Sequence, residues 1–126
     1  MKYLLDTTFV IDVLRGVPAA LERLDRLHDE GDEPLVTSIT TTELWSGRVA
    51  GREAAIEGAV RYLEYIHAGP STARRAGEWR AAARQAGKTL DTTDALIAAT
   101  AFDVGAAVLT RNVRDFALTP VRIETY

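Results

Sequence analysis

The sequence contains no cysteine, which excludes disulfide bridges, thiolate zinc sites and cysteine nucleophiles together. Histidine is also scarce. The two histidines, His28 and His67, lack the spacing of metal ligands, so a ribonuclease mechanism that needs a histidine pair is disfavoured. Any metal site in this chain would therefore be built from hard oxygen ligands.

A long apolar segment is missing near the start of the sequence. Only three apolar residues stand between Lys2 and Asp6, far fewer than a signal-peptide core or a membrane span requires, so we expect a cytoplasmic protein. Basic charge is not in excess either, because 15 lysines and arginines face 18 acidic residues and the net charge is -3. Bulk charge does not favour nucleic-acid binding, and any such contact must come from a local patch.

The composition that remains is that of an ordinary globular domain. Of the 126 residues, 47% are hydrophobic and 26% are charged, a balance that disfavours disordered, collagen-like and coiled-coil structures. A chain of this length suits a single hydrophobic core. We predict one domain that covers residues 1–126.

Short apolar runs alternate with helical patterns along the chain. We predict strands at Tyr3 to Leu5, Pro34 to Ile39, Ala106 to Thr110 and Val121 to Thr125. The stretch Tyr65 to His67 either extends a helix or forms a short edge strand, and we favour the strand because the alternation requires one there. The helical patterns are Thr8 to Arg15, Ala19 to Asp29, Thr41 to Ala50, Arg52 to Leu63, Ser71 to Ala86 and Leu90 to Gly105. Residues Asn112 to Phe116 are predicted to form a turn or a short helix. This alternation is typical of an α/β fold with a parallel sheet.

Four acidic residues follow a predicted strand or begin a helix: Asp6, Glu43, Asp94 and Asp115. Each has a structural explanation, since Thr40 and Glu43 fit a capping box and Asp94 comes three residues after a candidate N-cap. An acid in the first turn stabilises a helix by roughly 0.3–1 kcal/mol. Capping does not explain why four strand–helix junctions bring carboxylates to one edge of one sheet, the edge where open α/β sheets bind ligands.

A metal site explains that arrangement. Clustered carboxylates repel one another, and a hard divalent cation neutralises them. Mg²⁺ prefers an octahedron of oxygen ligands and is usually held by one or two direct carboxylates. A pocket with four acids can therefore hold one ion and has enough carboxylates for a second. Such an ion lowers the pKa of a bound water and stabilises charge during an in-line phosphoryl displacement, which indicates phosphodiester hydrolysis.

The polar neighbours of these acids have two candidate roles. Threonines either cap helices or orient the carboxylates by hydrogen bonds, and they are Thr7, Thr8, Thr93 and Thr110. Asn112 either holds Asp115 or shapes a turn. Four arginines either contact RNA phosphates beside the acidic pocket or belong to the solvated surface, and they are Arg48, Arg80, Arg84 and Arg111.

Four motifs in this order, YLLDTT, SITTTELWSG, DALIAATA and VLTRNVRDF, resemble the PIN-domain superfamily. Within it, the chain is similar to the VapC-type toxins of bacterial and archaeal toxin–antitoxin pairs, over essentially the whole sequence. The resemblance implies a parallel five-stranded sheet with helices on both sides, and an endoribonuclease that depends on Mg²⁺ or Mn²⁺. It implies that the catalytic acids are Asp6, Glu43, Asp94 and Asp115. Of these, Asp6, Asp94 and Asp115 would bind the metal, with either Asn112 or Asp115 nearest to it.

The same resemblance implies a homodimer and a cognate antitoxin whose tail lies across the active site. On that basis we expect an apolar groove for the antitoxin formed by Leu44, Trp45 and Val49, with Ile56 and Val60 on the next helix. The alternative is that these five residues are ordinary core residues.

Two other classes of function compete with this one. A phospho-acceptor signalling domain would carry an acidic pair after the first strand and a lysine after a late strand, whereas Asp6 stands alone and the lysines are Lys2 and Lys88. A catalytically inactive PIN-fold module that binds RNA or protein would have lost an acid, and all four are present. The sequence therefore favours the metal-dependent endoribonuclease.

Overall fold

The strands of the protein pair into one parallel sheet. In a computed structural model, residues 1–48 and 51–126 are described, except for the side chain of Arg48. Within these residues the sheet has five strands: β1 (Lys2–Leu5), β2 (Glu33–Val36), β3 (Glu64–Tyr65), β4 (Ala107–Leu109) and β5 (Ile123–Glu124). They lie in the order β3-β2-β1-β4-β5, and every neighbouring pair is parallel. The predicted fold class is confirmed. A short edge strand is also confirmed, although it spans Glu64–Tyr65 and not the predicted Tyr65 to His67.

Helices connect these strands. They are α1 (Thr7–Leu14), α2 (Pro18–Asp29), α3 (Ser38–Glu43), α4 (Glu53–Val60), α5 (Pro70–Gln85), α6 (Thr92–Asp103) and α7 (Val113–Phe116). After α3 the chain continues as a π-helical segment, Leu44–Arg48, with a kink at Gly47. At the kink Gly47 has a φ of 97°, a left-handed conformation that glycine adopts without steric cost.

Helices cover both faces of the sheet because alternate strand residues point to opposite sides. In β1, Tyr3 and Leu5 pack with residues of α1, α2 and α4, whereas Leu4 packs with residues of α6 and α7. Helix α6 is buried on nearly every side from Ala95 to Ala101, as its small and apolar sequence predicts. The predicted layers of helix, sheet and helix are therefore confirmed.

The topology creates a crevice between β1 and β4. From β1 the chain adds β2 and then β3 on one side, and it returns to add β4 on the other side of β1. At such a reversal of strand order the connections leave in opposite directions, and ligands bind beside the carboxyl ends of the strands. The backbone N–H of Asp6 donates to the carbonyl oxygen of Leu109 at 3.0 Å, so the pairing of β1 with β4 extends to the first acid.

The predicted boundaries around α3 are wrong. Strand β2 ends at Val36 because the side chain of Thr37 accepts a hydrogen bond from the N–H of Thr40 at 3.3 Å and caps α3. Thr40 is thus a buried residue inside the helix, and the predicted capping box with Glu43 does not form. The helix predicted from Thr41 begins earlier, and residues 49 and 50 of that prediction lie outside the described residues.

None of the helices in residues 1–48 and 51–126 is both long enough and apolar enough to cross a bilayer. Helix α5, for example, has 16 residues and carries four arginines. The cytoplasmic location expected from the sequence stays a prediction.

The burial of α6 predicts a large stability effect for Ile97→Ala. Ile97 is 0% exposed and packs against the sheet, so truncation leaves a cavity and should lower the free energy of unfolding by about 2–5 kcal/mol. Urea denaturation measures this, with Leu21→Ala as control because Leu21 is 39% exposed on α2 and should cost less than about 1 kcal/mol. Equal losses in the two variants would contradict the central position of α6.

Candidate metal centre

The four acids predicted from the sequence lie in one cleft at the carboxyl ends of β1 and β4. The cleft, here called the acidic cleft, has a volume of about 130 Å³ and is lined by Asp6, Thr7, Thr8, Glu43, Asp91, Thr93, Asp94, Asn112 and Asp115. The acids come from the end of β1, the end of α3, the first turn of α6 and the first turn of α7. The fold therefore gathers side chains from distant parts of the chain at the reversal of strand order.

Asp6 is held by hydroxyl groups and not by the helix that follows it. It occupies the N-cap position of α1, but its side chain makes no capping hydrogen bond. Its Oδ2 accepts hydrogen bonds from Oγ1 of Thr8 at 2.9 Å and from Oγ1 of Thr110 at 2.7 Å. Because Asp6 is only 3% exposed, these charge-assisted bonds fix the direction of its carboxylate. Of the two roles considered for these threonines, capping a helix or orienting a carboxylate, Thr8 and Thr110 make the hydrogen bonds of the second.

The same two hydroxyl groups tie the loop after β4 to Asp6. The buried Oγ1 of Thr110 accepts a hydrogen bond from the N–H of Asn112 at 2.8 Å, and Oγ1 of Thr8 accepts one from the N–H of Arg111 at 3.1 Å. Each hydroxyl thus donates to the carboxylate and accepts from the loop. The position of the loop and the position of the first acid are therefore coupled.

Two further acids are oriented by neighbouring polar groups. Oγ1 of Thr7 donates to Oε1 of Glu43 at 2.7 Å, so the third threonine also contacts a carboxylate. Nδ2 of Asn112 donates to Oδ2 of Asp115 at 2.9 Å, which gives Asn112 the role of holding that acid. Thr93, in the first turn of α6, lines the same cleft.

Asp94 experiences the accumulated negative charge of the cleft. Burial is the largest cause that raises its pKa to about 7, and the nearby Asp6, Asp115, Asp91 and Glu43 raise it further, in that order. Asp91 is the N-cap of α6 but makes no capping hydrogen bond through its side chain. These carboxylates face one another closely enough to disfavour full ionisation, and a cation between them would relieve that repulsion.

The donor groups fit a hard divalent ion that keeps part of its water shell. The side chains that line the cleft carry carboxylate, hydroxyl or amide groups, all of which offer oxygen atoms as metal ligands. Among the residues that the structure describes, no three histidine or acidic side chains converge closely enough to enclose an ion by themselves. Mg²⁺ matches this arrangement because it is commonly held by one or two carboxylates and several waters.

The arginines predicted to contact RNA differ in their surroundings. Arg111 borders the cleft through its backbone, and its guanidinium donates to Oδ1 of the buried Asp12 at 3.0 Å. Arg80 donates to a backbone carbonyl before α6 at 2.9 Å, so it holds that segment in place. Arg84 is exposed on α5, and the side chain of Arg48 lies outside the described residues.

The predicted apolar groove is wrong in most of its residues. Leu44 is fully buried in the core, and Ile56 and Val60 are buried in the same cluster, so the alternative of ordinary core residues holds for these three. Trp45 is 46% exposed in the π-helical segment. Val49 lies outside the described residues.

Asp12, a buried acid on α1 that contacts Arg111, was not predicted. It is 2% exposed and accepts hydrogen bonds from Arg111 and, at 2.7 Å, from the hydroxyl of Tyr126. Burial and the contact with Asp12 raise the pKa of the Tyr126 hydroxyl. The available signal was an acid in the middle of the apolar helix sequence FVIDVL, where a buried carboxylate requires partners.

Lys88 and Arg114 lie close together in the fold, which the sequence did not predict. They line a neighbouring cleft that shares Asn112 and Asp115 with the acidic cleft. Lys88 follows α5 and Arg114 lies on α7, so no local period connects them. Only the fold brings the two cations to one place.

Thr110→Val should weaken metal binding and leave the fold intact. The change keeps the shape of the side chain but removes the hydroxyl that donates to Asp6 and accepts from Asn112. We expect a loss of about 10- to 100-fold in Mn²⁺ affinity by calorimetry, as for other partners of metal ligands. Thr119→Val is the matched control, because Thr119 is also buried but bonds to the carbonyl of Phe116. Equal affinities in the two variants would contradict the orienting role.

The raised pKa of Asp94 predicts that the metal-free protein loses stability as the pH rises. Asp94 titrates at about 7 in the folded chain against an ordinary value of 3.8, so its protonated form favours folding. This contribution is fully present below pH 3.8 and is lost as the pH rises through about 7. In EDTA, as the pH rises from 3.8 through about 7, we expect the unfolding free energy of the wild type to fall by roughly 1–2 kcal/mol relative to Asp94→Asn. The fall is this small because solvent screens the half-buried carboxyl. Parallel pH profiles of the two proteins would refute this.

The sequence and the fold both match known proteins. A family model described as PIN domain matches residues 3–120. Ribonuclease VapC19 of Mycobacterium tuberculosis (strain CDC 1551 / Oshkosh) is 36% identical over 117 residues, covering 93% of this chain and 94% of the relative. The structure of DNA-bound VapBC from Salmonella typhimurium has a TM-score of 0.83 at 26% identity and covers 99% of this chain and 98% of that one. A toxin–antitoxin complex from Klebsiella pneumoniae has a TM-score of 0.77 at 26% identity, with 94% and 92% covered. The chain therefore belongs to the PIN domain family, within the VapC ribonucleases of toxin–antitoxin systems.

Proposed function

We propose that this chain is a toxin endoribonuclease that hydrolyses RNA phosphodiester bonds with Mg²⁺, or Mn²⁺ as substitute, in the acidic cleft. The observation that carries the proposal is the gathering of carboxylates at the reversal of strand order, with hydroxyl and amide groups that hold three of them. Membership of the VapC ribonucleases supports RNA as the substrate. The burial of Asp94 among other acids, which raises its pKa, supports a cation as a ligand of the cluster.

We assign the carboxylates of Asp6, Asp94 and Asp115 to the ion, with one or two in direct contact and the rest acting through its bound waters. Glu43 adds a fourth carboxylate to the same cleft. When bound, Mg²⁺ supplies a positive charge against the phosphate and a water of lowered pKa. Mn²⁺ takes the same kind of oxygen ligands.

The protein's own contribution is to hold these carboxylates in place before any substrate arrives. For Asp6 and Asp115, the hydrogen bonds from Thr8, Thr110 and Asn112 all end on Oδ2. The carboxylates of Asp6 and Asp115, held in this way, would be positioned to hold the ion. Because the direction of the acids is fixed in advance, little conformational freedom is lost when the reacting groups meet.

The two competing functions lack support from a particular contact. No lysine lines the acidic cleft within the described residues, although a phospho-acceptor domain would place one beside its phosphate. All four acids lie together in the cleft, whereas an inactive binding module needs none of them.

We also infer that the chain pairs with a cognate antitoxin. The structural relatives include a toxin–antitoxin complex. An acidic cleft attracts the basic side chain of a protein partner, and Trp45, two residues after Glu43, is exposed and offers an apolar contact. On the same family basis we propose a homodimer.

Asp94→Asn and Asp6→Asn should each remove RNA cleavage without unfolding the protein. Each change deletes a carboxylate charge and almost no volume. With structured RNA and Mg²⁺ or Mn²⁺, we expect the cleavage rate to fall by about 100-fold or more, because an assigned ligand of the ion is lost. The wild type should be inactive in EDTA, and circular dichroism should show folded variants.

Asp29→Asn, prepared identically, is the matched control for these variants. Asp29 is exposed at the end of α2 and lies outside the acidic cleft, so this variant should cleave like the wild type. Its activity also excludes a contaminating nuclease as the source of the signal. If no RNA of a broad set is cut with either metal and calorimetry detects no metal binding, the proposed function is wrong.

A further inference from the structure

A second cleft opens beside the acidic cleft. It has a volume of about 660 Å³ and lies between the loop after α5 and helix α7. Its residues include Asn112 and Asp115, which also line the acidic cleft, so the two spaces share a wall. A molecule that occupies the second cleft therefore reaches the edge of the acidic one.

Two cations line this second cleft, here called the basic groove. Lys88 and Arg114 are both exposed, and within the described residues neither forms an ion pair with a carboxylate. Some other exposed cations are neutralised, as Arg74 is by Glu78 at 2.9 Å. The groove thus presents positive charge in a chain whose net charge is -3. Such charge attracts a polyanion to a place from which the adjacent acids would otherwise repel it.

The backbone beneath both cations is fixed. Helix α5 ends with a hydrogen bond from the N–H of Lys88 to the carbonyl oxygen of Ala83 at 2.9 Å, so the residue is part of the helix terminus. The loop that follows is held at Leu90, whose carbonyl accepts a hydrogen bond from Arg80. Arg114 directly precedes Asp115 on α7. The backbone that carries the two cations is therefore held by the end of α5 and by α7.

We propose that the basic groove binds the backbone of the RNA strand on one side of the bond to be cut, with Lys88 and Arg114 each contacting a phosphate. This inference rests on the proposed function, because it takes the substrate of the acidic cleft to be RNA. A positively charged groove that follows a single strand is a common way to bind it without reading its sequence. The shared wall of Asn112 and Asp115 then leads the strand from the groove to the acids.

The double variant Lys88→Ala/Arg114→Ala tests the groove. Binding of a fluorescein-labelled oligouridylate decamer is measured by anisotropy with Ca²⁺ in place of Mg²⁺, at several salt concentrations. We expect about tenfold weaker binding at low salt, and a slope of log affinity against log salt that is smaller by about 1.4, which corresponds to two phosphate contacts. The charge-preserving exchange Lys88→Arg/Arg114→Lys should retain most of the wild-type slope.

The matched control is Lys2→Ala/Arg26→Ala. It also removes one lysine and one arginine, and both are exposed, but Lys2 lies at the amino end of β1 and Arg26 lies on α2, away from the acidic edge. Its affinity should change less than about twofold and its salt slope should stay close to that of the wild type. An equal loss in both double variants would show an effect of net charge alone and would overturn the inference.

Failure of the groove and failure of the proposed function give different results. If the wild type cuts RNA but the groove variant binds the decamer with unchanged affinity and slope, the groove inference is wrong and the nuclease stands. If the wild type binds the decamer through Lys88 and Arg114 but cuts no RNA with Mg²⁺ or Mn²⁺, the groove stands and the nuclease is wrong. Absence of decamer binding by the wild type would overturn the groove inference.

Discussion

Repulsion between carboxylates at the edge of a buried sheet is the constraint on which this structure depends. The repulsion is expressed in the pKa of Asp94, which burial and four neighbouring acids raise to about 7. It is opposed by the burial of apolar residues in β1, β4 and α6, where Leu4, Val108 and Ile97 are fully buried. The acid cluster is thus an unfavourable local arrangement that the stability of the core tolerates, as is common where a chain binds a ligand.

Threonine hydroxyls turn the strand topology into a defined set of carboxylate directions. Thr7, Thr8 and Thr110 each donate to an acid, and the latter two also accept an N–H from the loop after β4. A hydroxyl can do both because it carries one donor and two acceptor positions. The two threonines after Asp6 therefore connect three separate segments, a role that their position at a helix start does not suggest by itself.

The sequence predicts those parts of this molecule that depend on local pattern or on topology. Apolar runs located the strands and α6, and the rule for parallel sheets brought the four acids together. Capping was misassigned because TSITTTE offers several threonines, and only the end of β2 selects Thr37 over Thr40. The sequence left Leu44 open between a partner groove and the core, because an irregular helix breaks the 3.6-residue period. Lys88 and Arg114 meet only through tertiary packing, for which no local period exists.

The wall that Asn112 and Asp115 form between the acidic cleft and the basic groove has a thermodynamic consequence. An ion that contacts one side of Asp115 changes the charge that a strand meets on the other side. Linkage requires the effect to be reciprocal, so an ion that raises the affinity for the strand must itself be bound more tightly, by the same factor, once the strand is present. Under this rule the two ligands would be taken up together, and the empty protein would hold each of them less firmly than the assembled complex.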